Sequence, residues 1–298
     1  MSRRTIPLPF AVDLRRSLQP LRLGKHDPTI DLRVGAVALS MRTPAGPAAV
    51  RAVQDGTDFE VEAWGPGADW ALESAPGLLG CLDERIGFDP QHPLLRRLHR
   101  EGDGFRLPAT ARVHEALVRA VLSQRVTGFE AKRAFRLLLE RWGEPAPGPT
   151  GLLLVPSAQT ISDIGYYDLH VIGVEKKRAD ALKRACAHVA RLERVAAATP
   201  EDLRARLEAI AGIGRWTSAE VARVVLGDAD AVSVGDFHLK HLVAWALASE
   251  ARGTDERMLE LLEPYRPHRG RVCALLESGG VTAPRFGPRQ RIEPIAER

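Results

Sequence analysis

Two stretches of the chain carry residues whose types and spacing suit chemistry. One is Ala211-Gly212-Ile213-Gly214, a corner between two short helical patterns, and the other is Asp236, one helix and one loop further on. A tight reversal needs backbone that tolerates positive φ, which glycine supplies without a Cβ clash. The next helix starts within a few residues, so its first amides point outward, unpaired, at the positive end of the helix dipole. Such an end binds phosphate. Arg215 and Thr217 add donors beside these amides, and the apolar Ile213 is suited to pin the corner to a core. A plain αα-hairpin in which the glycines only make the turn accounts for the same residues.

Asp236 is expected to N-cap a helix beginning at Phe237. That role leaves a carboxylate at a helix mouth, facing outward and returning beside the corner. A fixed negative charge next to a bound polyanion weakens binding unless a reaction needs it. Cleavage of an N-glycosidic bond is such a reaction, because the sugar passes through a cationic state that a nearby carboxylate stabilises.

The elements that must position these groups are legible from periodicity. "TIDLRVGAVALSMRT" and "DFEVEAWG" alternate apolar and polar residues at period two, predicting a small β-rich mixed α/β domain over residues 1–90. A Pro/Gly-containing passage over 91–110 reads as a linker. From about Ala111 the spacing becomes helical: Val113, Ala116, Leu117, Ala120 and Val121 form one face, and Ala131, Ala134, Phe135, Leu138 and Trp142 form the next. Further helices are expected at Ser157 to Ile164, Lys176 to Glu193, Pro200 to Ile210, Thr217 to Leu226, Phe237 to Ser249, Asp255 to Glu263 and Arg269 to Ser278. The helical domain therefore spans 111–282, and 283–298 reads as a basic, Pro-containing, flexible tail.

With 298 residues, 45% hydrophobic and 27% charged, the chain has enough apolar residues for a substantial core. Forty-two Lys+Arg against thirty-eight Asp+Glu leave a net charge of +4, but the bases lie in knots such as Lys176-Lys177-Arg178, Arg266 to Arg271 and Arg285 to Arg291. A polyanionic partner is permitted, and a solvated face accounts equally well for any single knot. Cys81, Cys186 and Cys273 are too few and too scattered for an iron-sulfur cluster or zinc. Cys186 shares an apolar helical stripe with Ala179, Leu182 and Val189, so burial is its expected role. The first ten residues lack an apolar core and no run approaches about eighteen apolar residues, so a cytoplasmic protein without a membrane segment is expected.

Four segments in order resemble the helix-hairpin-helix DNA glycosylase superfamily. "LEAIAGIGRWTSAEVA" resembles its hairpin and "VSVGDFHLKHLV" its catalytic loop. "LVRAVLSQRVTGFEAKRAF" resembles the segment whose side chain enters the base stack, and "PYRPHRGRVCALL" the entry to its C-terminal helix. With a β-rich region in front, the nearest branch is the 3-methyladenine DNA glycosylase II type. The resemblance covers roughly Leu107 to Gly280 well and the first ninety residues loosely.

The resemblance implies a mainly α fold, a helix-hairpin-helix bundle with a small N-terminal β-rich α/β domain. It implies a monomeric base-excision-repair enzyme, bacterial in type and nucleoid-associated, acting on double-stranded DNA and leaving an abasic site. Asp236 takes the catalytic role; Gly212, Ile213, Gly214, Arg215 and Thr217 take the DNA grip; Gln124 and Arg125 stand where the wedge lies. No cofactor is implied beyond a K+ or Na+ ion on hairpin carbonyls near Ile210 and Ile213. Members that also nick the strand carry a lysine at the position of Trp216, and tryptophan cannot form a Schiff base. Its ring instead suits stacking on an extruded, positively charged alkylpurine. Glu220, Phe237 and His238 complete the expected base pocket.

Glu220 departs from the branch, which often has an aromatic residue there, and a looser alignment puts Glu277 at another aromatic position. Phe237, His238, Tyr166, Tyr167 and Tyr265 are the candidates to compensate. Two other readings remain open: a glycosylase for a deaminated or oxidised base, favoured by the polarity of Glu220, and a non-catalytic helix-hairpin-helix DNA-binding module.

Overall fold

The computed structural model describes residues 1–195 and 199–284. Most of the expected basic tail, including the knot from Arg285 to Arg291, lies outside the described residues.

The N-terminal part contains β1 (Ser2–Pro7), α1 (Leu14–Leu18), β2 (Ile30–Arg33), β3 (Ala36–Thr43), β4 (Gly46–Asp55), β5 (Asp58–Trp64) and α2 (Ala68–Leu78). The strands form one antiparallel sheet in the order β1-β5-β4-β3-β2. Alternation and register agree: Val37 lies opposite Ala52, Leu39 opposite Val50, Val61 opposite Ala52 and Ile6 opposite Phe59, all on one buried face. Leu14 and Leu18 of α1 and Ala71, Leu72 and Ala75 of α2 complete that core.

The helical part begins with α3 (Pro93–Glu101), inside the passage read as a linker. Proline at its start is compatible with a helix, since the first amide needs no partner there. Leu94, Leu95 and Leu98 share one face of α3 and the charged residues the other, a helical pattern that nine residues in a Pro/Gly-rich passage left unread. There follow α4 (Val113–Leu122), α5 (Gly128–Trp142), the short strand pair β6 (Glu144–Pro145) and β7 (Leu153–Leu154), α6 (Ala158–Asp163), α7 (Tyr166–Val171) and α8 (Lys176–Val195). The last five are α9 (Pro200–Glu208), α10 (Arg215–Val225), α11 (Leu239–Ala248), α12 (Asp255–Leu262) and α13 (Arg269–Ser278).

These helices make two further large apolar clusters, and Ala274 and Leu275 of α13 pack with Phe105 and Leu107 in a small one. Leu117 and Val121 of α4, Phe135 and Leu138 of α5, Leu182 and Cys186 of α8 and Val221 and Val225 of α10 belong to one. Leu95 and Leu98 of α3 join Leu239 and Val243 of α11, Met258 and Leu262 of α12 and Val272 and Leu276 of α13 in the other. A cleft between α10 on one cluster and α11 and α13 on the other receives the loop that carries Asp236.

Cys81, Cys186 and Cys273 are buried and free, as apolar surroundings require; burial pushes the Cys81 thiol up to about 11 and the Cys186 thiol to about 12. Among the described residues, no helix is long and apolar enough to cross a membrane.

Candidate active site

The corner turns on one glycine. Gly212 adopts φ +98°, and a Cβ there would lie 2.7 Å from Cβ of Ala181, so both conformation and space demand glycine. Gly214 differs from the expectation: its φ of −108° and ψ of −176° are extended backbone that any residue adopts. Its missing side chain matters outward, since nothing lies near its Cβ position and α10 starts there with no side-chain cap. The first amides of an eleven-residue helix thus face open space. Ile213 is 4% exposed and anchors the hairpin in the core, as its apolar character required. The Ala211 carbonyl accepts from Nε of Arg184 at 2.8 Å, and Ile213 N–H donates to the Ile210 carbonyl at 2.9 Å.

Gln124 and Thr217 are placed differently from expectation. Gln124 Nε2 donates to the Gly212 carbonyl at 3.0 Å and to Thr217 Oγ1 at 2.8 Å. Thr217 is buried and its hydroxyl serves this internal bond, so it is not among the outward donors; Arg215 is exposed beside the open amides. Arg125 follows immediately on Gln124, exposed and in the left-handed region at φ +52°, a conformation costing a non-glycine residue about 1 kcal/mol. One side chain therefore ties the loop after α4 to the hairpin, beside the apolar packing of α4 on α10.

Asp236 is held by three N–H donors. Its Oδ1 accepts from the amides of His238 at 2.8 Å and Leu239 at 2.9 Å, and its Oδ2 accepts from Trp216 Nε1 at 3.0 Å. The helix begins at Leu239, two residues later than expected, because a tight turn over 236–238 lets the carboxylate reach amides two and three residues ahead. Asp236 is therefore not the N-cap, which is His238 without a side-chain bond; its carboxylate bonds the amides of the turn that leads into the helix. The Trp216 indole was expected as a stacking surface; it is also a hydrogen-bond donor that fixes the acid.

The loop before Asp236 is fastened by its other acids. Asp228 pairs with Arg204, and Asp230 accepts from Arg269 Nε at 2.9 Å and Nη2 at 2.6 Å. Arg271 N–H donates to the Ala229 carbonyl at 2.8 Å, a close approach that Gly270 permits because a Cβ there would overlap the carbonyl of Ala231.

A small cavity beside Asp236 is lined by Glu220, Arg223, Ala231, Ser233, Leu239 and Glu277, with Gly270 and Cys273. Phe237 and His238 are not among its walls: Phe237 is 73% exposed, and its ring meets His238 edge-on at 4.9 Å. Tyr166 and Tyr167 lie on α7 against one another and likewise do not line it. The wall is instead ionic. Arg223 Nη2 donates to Glu220 Oε2 at 2.8 Å and Nη1 to Glu277 Oε2 at 3.3 Å, while the Ser233 hydroxyl bonds Glu220 Oε1. The charge of Glu220, joined by Glu277, holds the Arg223 guanidinium above its usual value despite burial. Desolvation pushes the Glu277 carboxyl upward, Arg223 opposes it, and Glu220 and Asp236 add like charge; the net direction is up. Of these residues only Glu220 and Asp236 stood out strongly in sequence; Arg223 could have been found one turn after Glu220, facing it on the same side of α10.

A helix-hairpin-helix bundle whose open helix end adjoins a held carboxylate and a lined cavity defines the class of molecule. The family model for the HhH-GPD superfamily base excision DNA repair protein matches residues 118–267, half of the chain, and the chain belongs to that superfamily. Over 164 residues it is 32% identical to the probable bifunctional transcriptional activator/DNA repair enzyme AlkA of Mycobacterium tuberculosis, covering 54% of this chain and 32% of that one. The chain thus spans about a third of the length of the curated relatives it matches. Among solved structures, 3-methyladenine DNA glycosylase from Archaeoglobus fulgidus superposes with a TM-score of 0.77 at 18% identity, covering 95% of this chain and all of that one (100%). The 8-oxoguanine glycosylase/lyase of Clostridium acetobutylicum, bound to double-stranded DNA, gives 0.61 at 14% identity over 84% and 96% of the two chains. At these identities the likeness is one of fold, and it extends through the N-terminal sheet.

Proposed function

We propose that this chain is a monofunctional DNA glycosylase that grips duplex DNA, extrudes a purine alkylated at N3 or N7, and hydrolyses its N-glycosidic bond. The observation that carries this reading is the 3.0 Å bond from Trp216 Nε1 to Asp236 Oδ2. It pairs the acid with an indole at the position where strand-nicking members have a lysine amine, so the acid is positioned and no Schiff-base nucleophile stands there. The same fold serves both outcomes, in the glycosylase/lyase of Clostridium acetobutylicum and the 3-methyladenine glycosylase of Archaeoglobus fulgidus, so residue 216 makes the difference on this reading.

In this mechanism the open amides of α10, with Arg215, bind a backbone phosphate, and Arg125 fills the space the extruded nucleotide leaves. The bond from C1′ to the base breaks with both electrons moving to the base, where they neutralise the charge alkylation had placed there. Asp236 opposes the positive charge left on the sugar, and its three donors hold it ready without rearrangement. A water adds to C1′ and releases its proton to solvent, leaving an abasic site on an intact strand. On this reading a monovalent cation would be held by the neutral carbonyl oxygens near Ile210 and Ile213, the first of which also accepts from Ile213 N–H, and its charge would favour phosphate. The same reading has the protein act as a monomer in the cytoplasm, on chromosomal DNA.

The test is release of free bases from methylated duplex DNA by wild type and by Asp236→Asn. Wild type is expected to release alkylpurines and leave the strand uncut until alkali is added. Asp236→Asn is expected to lower release by about a hundredfold or more while binding DNA at least as well. Binding without release by wild type would sink the catalytic reading in favour of a DNA-binding module.

A further inference from the structure

We propose that Glu277, held on Arg223 beside Asp236, is the residue that reads the extruded base, and that it selects the guanine edge, making 7-alkylguanine the preferred substrate class. The inference rests on the glycosylase reading and deepens it.

The two glutamates on Arg223 are not equivalent. Both oxygens of Glu220 are engaged, one by Ser233 and one by Arg223. Glu277 gives Oε2 to Arg223 at 3.3 Å, and its side chain remains 50% exposed while lining the same cavity as Asp236. Its carboxylate is therefore both oriented and open to a ligand. The guanidinium between the two acids fixes the orientation, as a planar fork does better than an ammonium.

The bond to Arg223 opposes the upward pull of burial and favours the charged form of Glu277, and an ionised carboxylate only accepts hydrogen bonds. The guanine edge offers N1–H and an N2 amino hydrogen side by side, matching the two oxygens of one carboxylate. Adenine offers one N6 hydrogen and then a lone pair on N1, which would confront the second oxygen and leave two acceptors facing each other. Alkylation at N7 leaves the guanine edge untouched and adds positive charge to the ring. Glu220 and Glu277 share the single guanidinium of Arg223 and Asp236 lines the same cavity, so three carboxylates meet one guanidinium there and the cavity favours such a base by charge. Reading by charge and edge takes the place of the aromatic stacking expected at these positions.

Single-turnover release of 7-methylguanine and 3-methyladenine from methylated duplex DNA, each relative to its spontaneous loss, tests this. Wild type is expected to favour 7-methylguanine by about tenfold. Glu277→Gln presents one acceptor and one donor in the same fork, so it should shift the preference to 3-methyladenine. Equal loss of both bases in Glu277→Gln, or a wild type that favours 3-methyladenine, overturns the proposal. Release of neither base by wild type removes the glycosylase reading itself, and the inference with it. Should thermal melting show Glu277→Gln unfolded, Glu277→Asp keeps the charge but withdraws it by one methylene. That variant is expected to lose 7-methylguanine release without gaining 3-methyladenine, and an unchanged ratio counts against the proposal.

Discussion

The most consequential single contact is between an indole and an acid. Trp216 Nε1 and two backbone amides together occupy three acceptor positions of Asp236, so the acid is fixed by neutral donors, with no cation among them. Trp216→Phe keeps the flat ring and removes only the N–H. If stacking were the whole role of residue 216, this change would leave base release almost intact. The expected outcome is instead a fall of about tenfold or more in single-turnover release, because a hydrogen bond to a charged group contributes about 2 kcal/mol, with affinity for abasic-site DNA changing much less. Measuring both quantities on the same preparation separates loss of positioning from loss of binding.

At the scale of elements, the hairpin assigns different work to its two glycines. Gly212→Ala meets both a positive φ and Ala181, and is expected to cost about 2 kcal/mol or more of stability in urea unfolding. Gly214→Ala meets neither, so stability should hold while DNA affinity falls as a methyl group intrudes on the open amides of α10. Much of this architecture was legible: the i, i+3, i+4 stripes located α4, α5, α8 and α10, and the glycines and Asp236 marked the corner and the acid. What remained hidden depends on contacts between elements that are distant in sequence. No spacing rule says that Gln124 reaches across to Gly212, that Thr217 turns inward to meet it, or that Glu277 shares Arg223 with Glu220. The start of α11 slipped because capping fixes which amides are satisfied, and an aspartate can satisfy those two and three residues ahead. α3 was missed for its length and setting, since Leu94, Leu95 and Leu98 do form an apolar face opposite its charges.

At the scale of the whole molecule, the three largest apolar clusters must keep register for the cleft to hold its shape, and a buried ion pair spans two of them. Arg271 on α13 donates to Asp83 just beyond α2, at 2.7 and 2.5 Å, and Leu107 N–H adds a third bond to the same acid at 2.8 Å. Burial alone would raise the Asp83 carboxyl, but the bond to Arg271, its charge and the Leu107 amide together hold it below its ordinary 3.8. A depressed folded-state value gives stability that is present above the ordinary value and lost as pH falls through the depressed one. Asp83→Asn should therefore be less stable than wild type by about 3 kcal/mol near neutrality. In denaturation measured across an acid series, that gap should narrow as pH falls below about 4. A gap that stayed constant into acid would mean the pair contributes nothing through charge. On the proposed reading, the bond from Gln124 to the hairpin also couples the two parts that meet DNA. The residue beside Arg125 and the phosphate-facing turn are tied together, so a displacement of the hairpin would be felt at the probe between the bases.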